Sequence, residues 1–273
     1  MNTPPIILSI AGSDPSGGAG IQADIKAISA LGGYAATAIT ASTVQNTRGV
    51  AKVNYLPPVV VTEQIKAVFN DLNVASVKIG MTGQYDIVKA ISYTLIKRKD
   101  IPVVLDPVMA ATGGRKLAEN KAIEALKLFL LPQCKVATPN LLEASILLGK
   151  EVRTTDDMKQ AAIALWQQFH CAFLLKGGHL EGDEMVDVLF DGQFHYFNSP
   201  RIETKNLHGT GCTLSSAIAT YLGKGEELVE AITHAKEYID RAIAAGTHLS
   251  VGHGNGPVWH FPDSYPLLPP EQP

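Results

Sequence analysis

The sequence predicts an α/β fold with a central, mostly parallel sheet flanked by helices. Three observations lead there. Short apolar runs rich in β-branched residues alternate with longer runs of helical periodicity, the rhythm of βαβ units. Several of the apolar runs stop on a small, polar or charged residue, as strand ends beside a ligand site do. With 273 residues, 46% of them hydrophobic and 18% charged, the chain can bury one large core.

The elements follow in order. "PIILSIAG" is a strand, and "GGAGIQADIKAISALG" a helix with Ile21, Ile25, Ile28 and Leu31 on one stripe. "YAATAIT" is a strand, and "TEQIKAVFNDL" a helix opening on Thr62. "ASVKIGM" and "IPVVLDP" are strands, separated by the helix "QYDIVKAISYTLIKRK". The helix "ENKAIEALKLFLL", the strand "CKVATPN" and the helix "LLEASILLG", ended by Gly149, come next. "TDDMKQAAIALWQQF" has acidic residues in its first turn, where they favour a helix, and "CAFLLKGG" is a strand. "DEMVDVLFDGQFHYF" reads as a hairpin around Asp191-Gly192. Two helices close the pattern, "GTGCTLSSAIATYLG" and "ELVEAITHAKEYIDRAIAAG". No linker or repeat divides the chain, so residues 1–262 are expected to form one domain and the proline-rich 263–273 a disordered tail.

Composition excludes several function classes. The net charge is −3 with no long basic run, which argues against nucleic acid and anionic membranes as partners. No apolar run approaches the roughly 20 residues of a bilayer span, and the first residues lack a signal-peptide pattern. Cys134, Cys171 and Cys212 show neither metal-ligand spacing nor a disulfide framework, which fits a reducing cytoplasm. The histidines show no metal-binding spacing.

In an open parallel sheet, ligands bind beyond the carboxyl ends of the strands. Gly12, Met81, Asp106, Asn140 with Glu143, and Lys176 all fall there. Two carboxylates beside a lysine suit a hard cation carrying a nucleotide. Asp106 before a proline and Glu143 in a first helical turn are also ordinary capping residues. Lys176 is either a phosphate ligand or a solvated loop lysine. Gly209-Thr210-Gly211 opens a helix with Cys212 at its start, an arrangement suited to an anion nest. The positive helix end is expected to lower the Cys212 thiol pKa. His208, just before the nest, is left unassigned between phosphate contact and turn cap.

The run Gly18-Ala-Gly20-Ile-Gln-Ala23 matches the dinucleotide fingerprint G-x-G-x-x-[GA]. A dinucleotide site also needs an acidic residue about 20 positions later, and none occurs from Ile25 through Thr62. The dehydrogenase reading fails on that point.

Together, "AGSDPSGGAGIQADIK", "TASTVQNTRGV", "VKIGM", "VVLDPVM", "TPNLLEA", "LLKGGH", "HGTGCTLSSAIA" and "VGHGNGPV" closely resemble the hydroxymethylpyrimidine/phosphomethylpyrimidine kinases of thiamine synthesis. The resemblance runs from about Ile7 to Phe261 and implies a ribokinase-like three-layer sandwich. It implies ATP and Mg²⁺, a small pyrimidine substrate phosphorylated twice, and a homodimer. Gln45 would then read the pyrimidine edge, its amide offering both a donor and an acceptor. Gly12, Asp24, Met81, Val108 and Cys212 would line the same pocket. Asp106 and Glu143 would serve the metal. Lys176, Asn140, Thr210 and Gly211 would serve ATP, and the Gly209–Cys212 nest would hold the transferring group. Sugar kinases of that superfamily carry an aspartate base where this chain has Cys212, either as a thiolate base or to position the hydroxyl. A pyridoxal kinase and a non-catalytic pyrimidine or nucleotide sensor are the alternatives.

Overall fold

The computed structural model describes residues 3–110, 116–177 and 184–263. Nine strands form one sheet in the order β3-β2-β1-β4-β5-β6-β7-β8-β9. They are β1 (Ile6–Ser13), β2 (Tyr34–Asn46), β3 (Gly49–Tyr55), β4 (Val74–Ile79), β5 (Val103–Leu105), β6 (Val136–Ala137), β7 (Ala172–Leu175), β8 (Glu184–Phe190) and β9 (Phe194–Pro200). From β2 through β7 every pairing is parallel, while β3, β8 and β9 pair antiparallel at the two edges.

Period-two alternation puts each parallel strand into both layers of core. Leu8, Ile10, Val103, Leu105, Phe173 and Leu175 pack on one side. Ile7, Val104, Val136 and Leu174 pack on the other. The first side is covered by α2 (Pro58–Asp71), α3 (Tyr85–Leu95), α4 (Asn120–Ala125), α5 (Leu141–Leu148) and α6 (Thr155–Phe169). The second is covered by α1 (Gly20–Ala30), α7 (Thr210–Gly223) and α8 (Leu228–Gly246). The result is a three-layer sandwich.

Several local expectations need correction. Ile25 is 39% exposed, and Ala27 and Asp24 take its place on the buried face of α1. Helix α2 starts at Pro58 and not at Thr62, because proline's fixed φ suits the first turn. Strand β2 runs on to Asn46 and turns back as β3, an edge strand absent from the apolar pattern because three of its seven residues are exposed and none is buried. The helix expected over 119–131 is α4, a π-helical turn at Leu126–Leu130 and a 3₁₀ turn at Leu131–Gln133, where Pro132 cannot continue an α-helix. The tail lies outside the described residues from residue 264, as do Gly178 and His179. Among the described residues no helix is long and apolar enough to cross a membrane.

Helix α7 lies against the sheet because its inward residues are small: Ser215, Ser216, Ala217, Ala219 and Thr220 are all fully buried. Its polar groups find partners there. Ser216 Oγ donates to Asp24 Oδ1 at 2.8 Å, and Ser9 Oγ donates to Asp24 Oδ2 at 2.6 Å. Lys78 Nζ on β4 lies 2.8 Å and 2.9 Å from the two Asp24 oxygens. Burial opposes the Lys78 charge, but Asp24 outweighs it and raises the pKa above the ordinary lysine value.

Removing one partner of a buried pair strands the other charge without solvent. Asp24→Asn is expected to lower the unfolding free energy by about 3–5 kcal/mol in urea titrations. The double substitution Asp24→Leu with Lys78→Met should lose less than the single one.

Candidate active site

One cavity of about 1630 Å³ runs along the carboxyl ends of the strands. Gly12, Gln45, Met81, Asp106, Val108, Asn140, Glu143, Lys176, Gly209, Thr210, Gly211 and Cys212 all line it. The ladder hydrogen bonds explain the convergence. Gly80 N donates to Ile10 O, Asp106 N to Ile79 O, Thr138 N to Leu105 O, and Lys176 N to Pro139 O. Each strand thus stays paired to its last residue, and the next side chain emerges at a common rim.

Asp24 is the exception among the residues expected in the pocket. Its side chain is completely buried by the contacts with Ser9, Lys78 and Ser216, and it does not line the cavity. Both Asp24 oxygens are taken by Ser9, Lys78 and Ser216, whereas Asp106, also paired with a lysine, lines the cavity.

At one end of the cavity, Gly209 has φ 82°, a left-handed conformation that glycine adopts without strain, and it caps α7. A Cβ there would overlap the Gly18 carbonyl, so the two glycine loops touch. The first-turn amides of Gly211 and Cys212 have no i−4 helical acceptor, and both residues line the cavity. A Cβ on Gly211 would stand 3.2 Å from both Asp106 Oδ2 and Lys176 Nζ. Lys176 Nζ is 3.1 Å from Asp106 Oδ1. Helix nest, carboxylate and ammonium therefore meet at one point.

Asn140 and Glu143 form a reciprocal capping box. Asn140 Oδ1 accepts from Glu143 N, and Glu143 Oε2 accepts from Asn140 N, both at 2.9 Å. The capping reading and a site role coexist, since both residues line the cavity. Burial pushes the Glu143 carboxyl up and Asp106 adds to this, against Lys176 and the backbone amides. Burial works against the Lys176 ammonium, but Asp106 and Glu143 outweigh it and raise its pKa. Among the described residues no group of three or more His, Cys, Asp or Glu forms a metal cluster. Asp106 and Glu143, both buried around one lysine, do fit a cation that takes one or two carboxylates and completes its shell with phosphate and water.

The Cys212 thiol departs from expectation. Its pKa is pushed up to about 11, first by burial, then by Asp24 and Asp106, against Lys78 and the Gly20 amide. A helix terminus acts only within a turn and modestly. Here burial costs the thiolate more than the positive helix end returns. At neutral pH Cys212 is a thiol.

At the other end of the cavity, His208, which the sequence left unassigned, and Asp14, which it missed, join Gln45. His208 Nε2 is 2.8 Å from Asp14 Oδ2 and 3.2 Å from the Gln45 amide nitrogen. Asp14 also accepts from Ser16 N, Ser16 Oγ and Ala19 N, at 2.8, 2.7 and 2.9 Å. Burial raises the Asp14 pKa, but His208 and Ser16 outweigh it and the net shift is downward. The signal for Asp14 was its place in "GSDPSGG", an aspartate positioned to fold a turn over itself. A second missed pair is Asp187–Lys236 at 2.8 Å, where Asp187 Oδ1 also accepts from Gly177 N. No spacing signal links residues so far apart.

A family model described as phosphomethylpyrimidine kinase matches residues 14–259. The chain belongs to that family. The hydroxymethylpyrimidine/phosphomethylpyrimidine kinase of Rhizobium meliloti is 49% identical over 258 residues, which are 94% of this chain and 97% of that relative. The thiamine biosynthesis bifunctional protein ThiED of Geobacter sulfurreducens is 48% identical over 256 residues, 93% of this chain but 52% of the relative. This chain thus spans about half the length of that bifunctional protein. The pyridoxal kinase of Staphylococcus aureus, solved with AMP-PCP and pyridoxal, matches with a TM-score of 0.87 at 32% identity. That match covers 95% of this chain and 94% of the other. The ribokinase-like architecture implied by the motifs is the one observed.

Below its pKa, a thiol's reactive thiolate fraction rises tenfold for each unit of pH. Cys212 in the folded protein is therefore expected to alkylate about a hundredfold more slowly at pH 8 than in the unfolded chain, with the rate still rising towards pH 11. Peptide mapping after timed iodoacetamide labelling checks this. Labelling at the unfolded rate would mean an unshifted thiol, and faster labelling a thiolate.

Proposed function

We propose that the protein is an ATP-dependent kinase acting on 4-amino-5-hydroxymethyl-2-methylpyrimidine and then on its monophosphate, in the synthesis of thiamine diphosphate. The observation that carries this reading is the meeting of Gly211, Asp106 and Lys176 in the same cavity as Gln45 and Cys212. Family membership supports the substrate class. The homodimer implied by the resemblance belongs to the same proposal.

The chemistry assigns each residue a task. Gln45 pairs with the amino group and ring nitrogen of the pyrimidine, while Gly12, Met81 and Val108 enclose the ring. Lys176, Asn140 and Thr210 hold the ATP phosphates. The amides of the Gly209–Cys212 nest meet the transferring group, where negative charge must be held. Asp106 and Glu143 would hold Mg²⁺, which would neutralise phosphate charge when bound. The substrate hydroxyl oxygen bonds to the γ-phosphorus, the bond from that phosphorus to the bridging oxygen breaks, and ADP leaves. The hydroxyl proton is released to a phosphoryl oxygen. Such transfer depends on alignment and charge stabilisation more than on a strong base. A neutral Cys212 thiol therefore positions the hydroxyl and does not remove its proton.

A second reading has its own support. The pyridoxal kinase match covers nearly the whole chain, and pyridoxal also carries a hydroxymethyl on an aromatic ring. ADP release measured with the pyrimidine, its monophosphate and pyridoxal, each with and without Mg²⁺, separates the two. Both pyrimidines should turn over with Mg²⁺ and exceed pyridoxal in kcat/KM. The reverse order would favour the second reading, and no ADP release with any of them would refute a kinase.

For Cys212→Ala, about a tenfold fall in kcat for the first phosphorylation is expected, from lost positioning. The ATP KM should stay within about twofold. The shape of the pH–rate profile should not change, because no ionisation of Cys212 is used. A lost acidic limb would restore the thiolate base. The second phosphorylation, whose nucleophile is already ionised, should fall less.

A further inference from the structure

The run "VGHGNGPV" contributes to the resemblance but receives no task from the chemistry above. Its place in the fold supplies one. The pairing of β2 with β1 ends at Ser13↔Ser42. Beyond it, β2 pairs only with β3, and the register shifts between Val44 and Gln45. Gln45 thus sits at a bulge on a two-stranded ribbon projecting past the sheet. A two-stranded ribbon is marginal alone in water, and a bulge changes where its side chains point.

Residues 252–256 tie that ribbon down. Thr47, at the ribbon tip, is partly buried on the side of Thr43 and Gln45, while Ser42, Val44, Asn46 and Arg48 are exposed. Gly254 N donates to Thr47 Oγ1 at 3.1 Å, and Asn255 N donates to Thr47 O at 2.9 Å. A Cβ on Gly254 would overlap the Thr47 carbonyl oxygen and stand 2.7 Å from Arg48 N. Only glycine permits so close an approach. The same segment reaches the other side of the pocket, where His208 N donates to Gly256 O at 3.0 Å. Asn206 Nδ2 anchors that region by donating to Gly246 O and Leu249 O, at 2.8 and 2.9 Å.

We propose that residues 252–256 form a positioning strap, and that Thr47 and Gly254 are positioning residues that set where the Gln45 amide stands in the acceptor pocket. Among the described residues, the strap's hydrogen bonds reach Thr47 and His208, and none reaches Asp106, Lys176 or the Gly209–Cys212 turn. Its effect is on pyrimidine affinity and discrimination. The proposal rests on the reading of Gln45 as the group that recognises the pyrimidine.

The test is steady-state kinetics on Gly254→Ala, Thr47→Val, Thr47→Ser and Gln45→Ala, and on Gly254→Ala combined with Gln45→Ala. Gly254→Ala is expected to raise the pyrimidine KM about tenfold, with the ATP KM within about twofold. Thr47→Val, which adds no bulk and removes one hydrogen bond, should raise the pyrimidine KM about threefold to tenfold, and Thr47→Ser should restore it. In the Gln45→Ala background, Gly254→Ala should add less than about twofold, because residues acting through one group are not additive. Full additivity, or an unchanged pyrimidine KM in Thr47→Val, overturns the strap. So does an equal rise in both KM values. If Gln45→Ala itself keeps the normal pyrimidine KM, the reading of Gln45 fails first. If Gln45→Ala raises it while Gly254→Ala and Thr47→Val do not, the strap alone fails.

Discussion

The carboxylate of Asp24 and the ammonium of Lys78 meet beneath the cavity with no access to water. Ser9 and Ser216 complete the shell around the carboxylate. Four elements are joined there: β1, α1, β4 and α7. Two buried charges tolerate only arrangements that keep them paired, so the relative placement of these elements is tightly defined. The acceptor loop lies at the start of α1, and the nest lies at the start of α7. The contact between the two glycine loops, at Gly18 and Gly209, depends on that placement. So does Cys212, one helical turn above Ser216.

The two ends of the cavity are built differently. The end proposed to hold the phosphates uses charge: Lys176 beside Asp106 and Glu143, near a helix terminus. Burial strengthens each of these interactions and makes each expensive to leave unpaired. The proposed acceptor end uses direction. Asp14, His208 and Gln45 form a short hydrogen-bonded group around a neutral amide, where a small displacement matters more than net charge. A site divided in this way fits the proposed transfer by alignment, as does a protonated Cys212.

Ordinary secondary-structure rules account for how the groups arrive. Parallel strands deliver Asp106 and Lys176 to one rim because every strand ends there. The capping box delivers Glu143, since the hydrogen bonds that start α5 also orient its carboxylate. Only the Gln45 ribbon lacks such support from the sheet, and it is there that a distant loop packs against it.

By itself, the sequence determined the layered α/β architecture and the strand-end residues that line the cavity. Apolar periodicity is a local property, and a parallel sheet places all its carboxyl ends together. It also carried the glycine-opened start of α7, because paired glycines before a helix are legible without a partner. What only the tertiary structure decided involves partners remote in the chain. Asp24 looked like a pocket residue until Lys78, 54 positions away, was seen to hold it. Cys212 looked activated by its helix until burial reversed the shift. Asp14 with His208, and Thr47 with Gly254, are pairs 194 and 207 positions apart. No period or spacing encodes such contacts, because desolvation and long-range pairing depend on what the folded chain brings to a group.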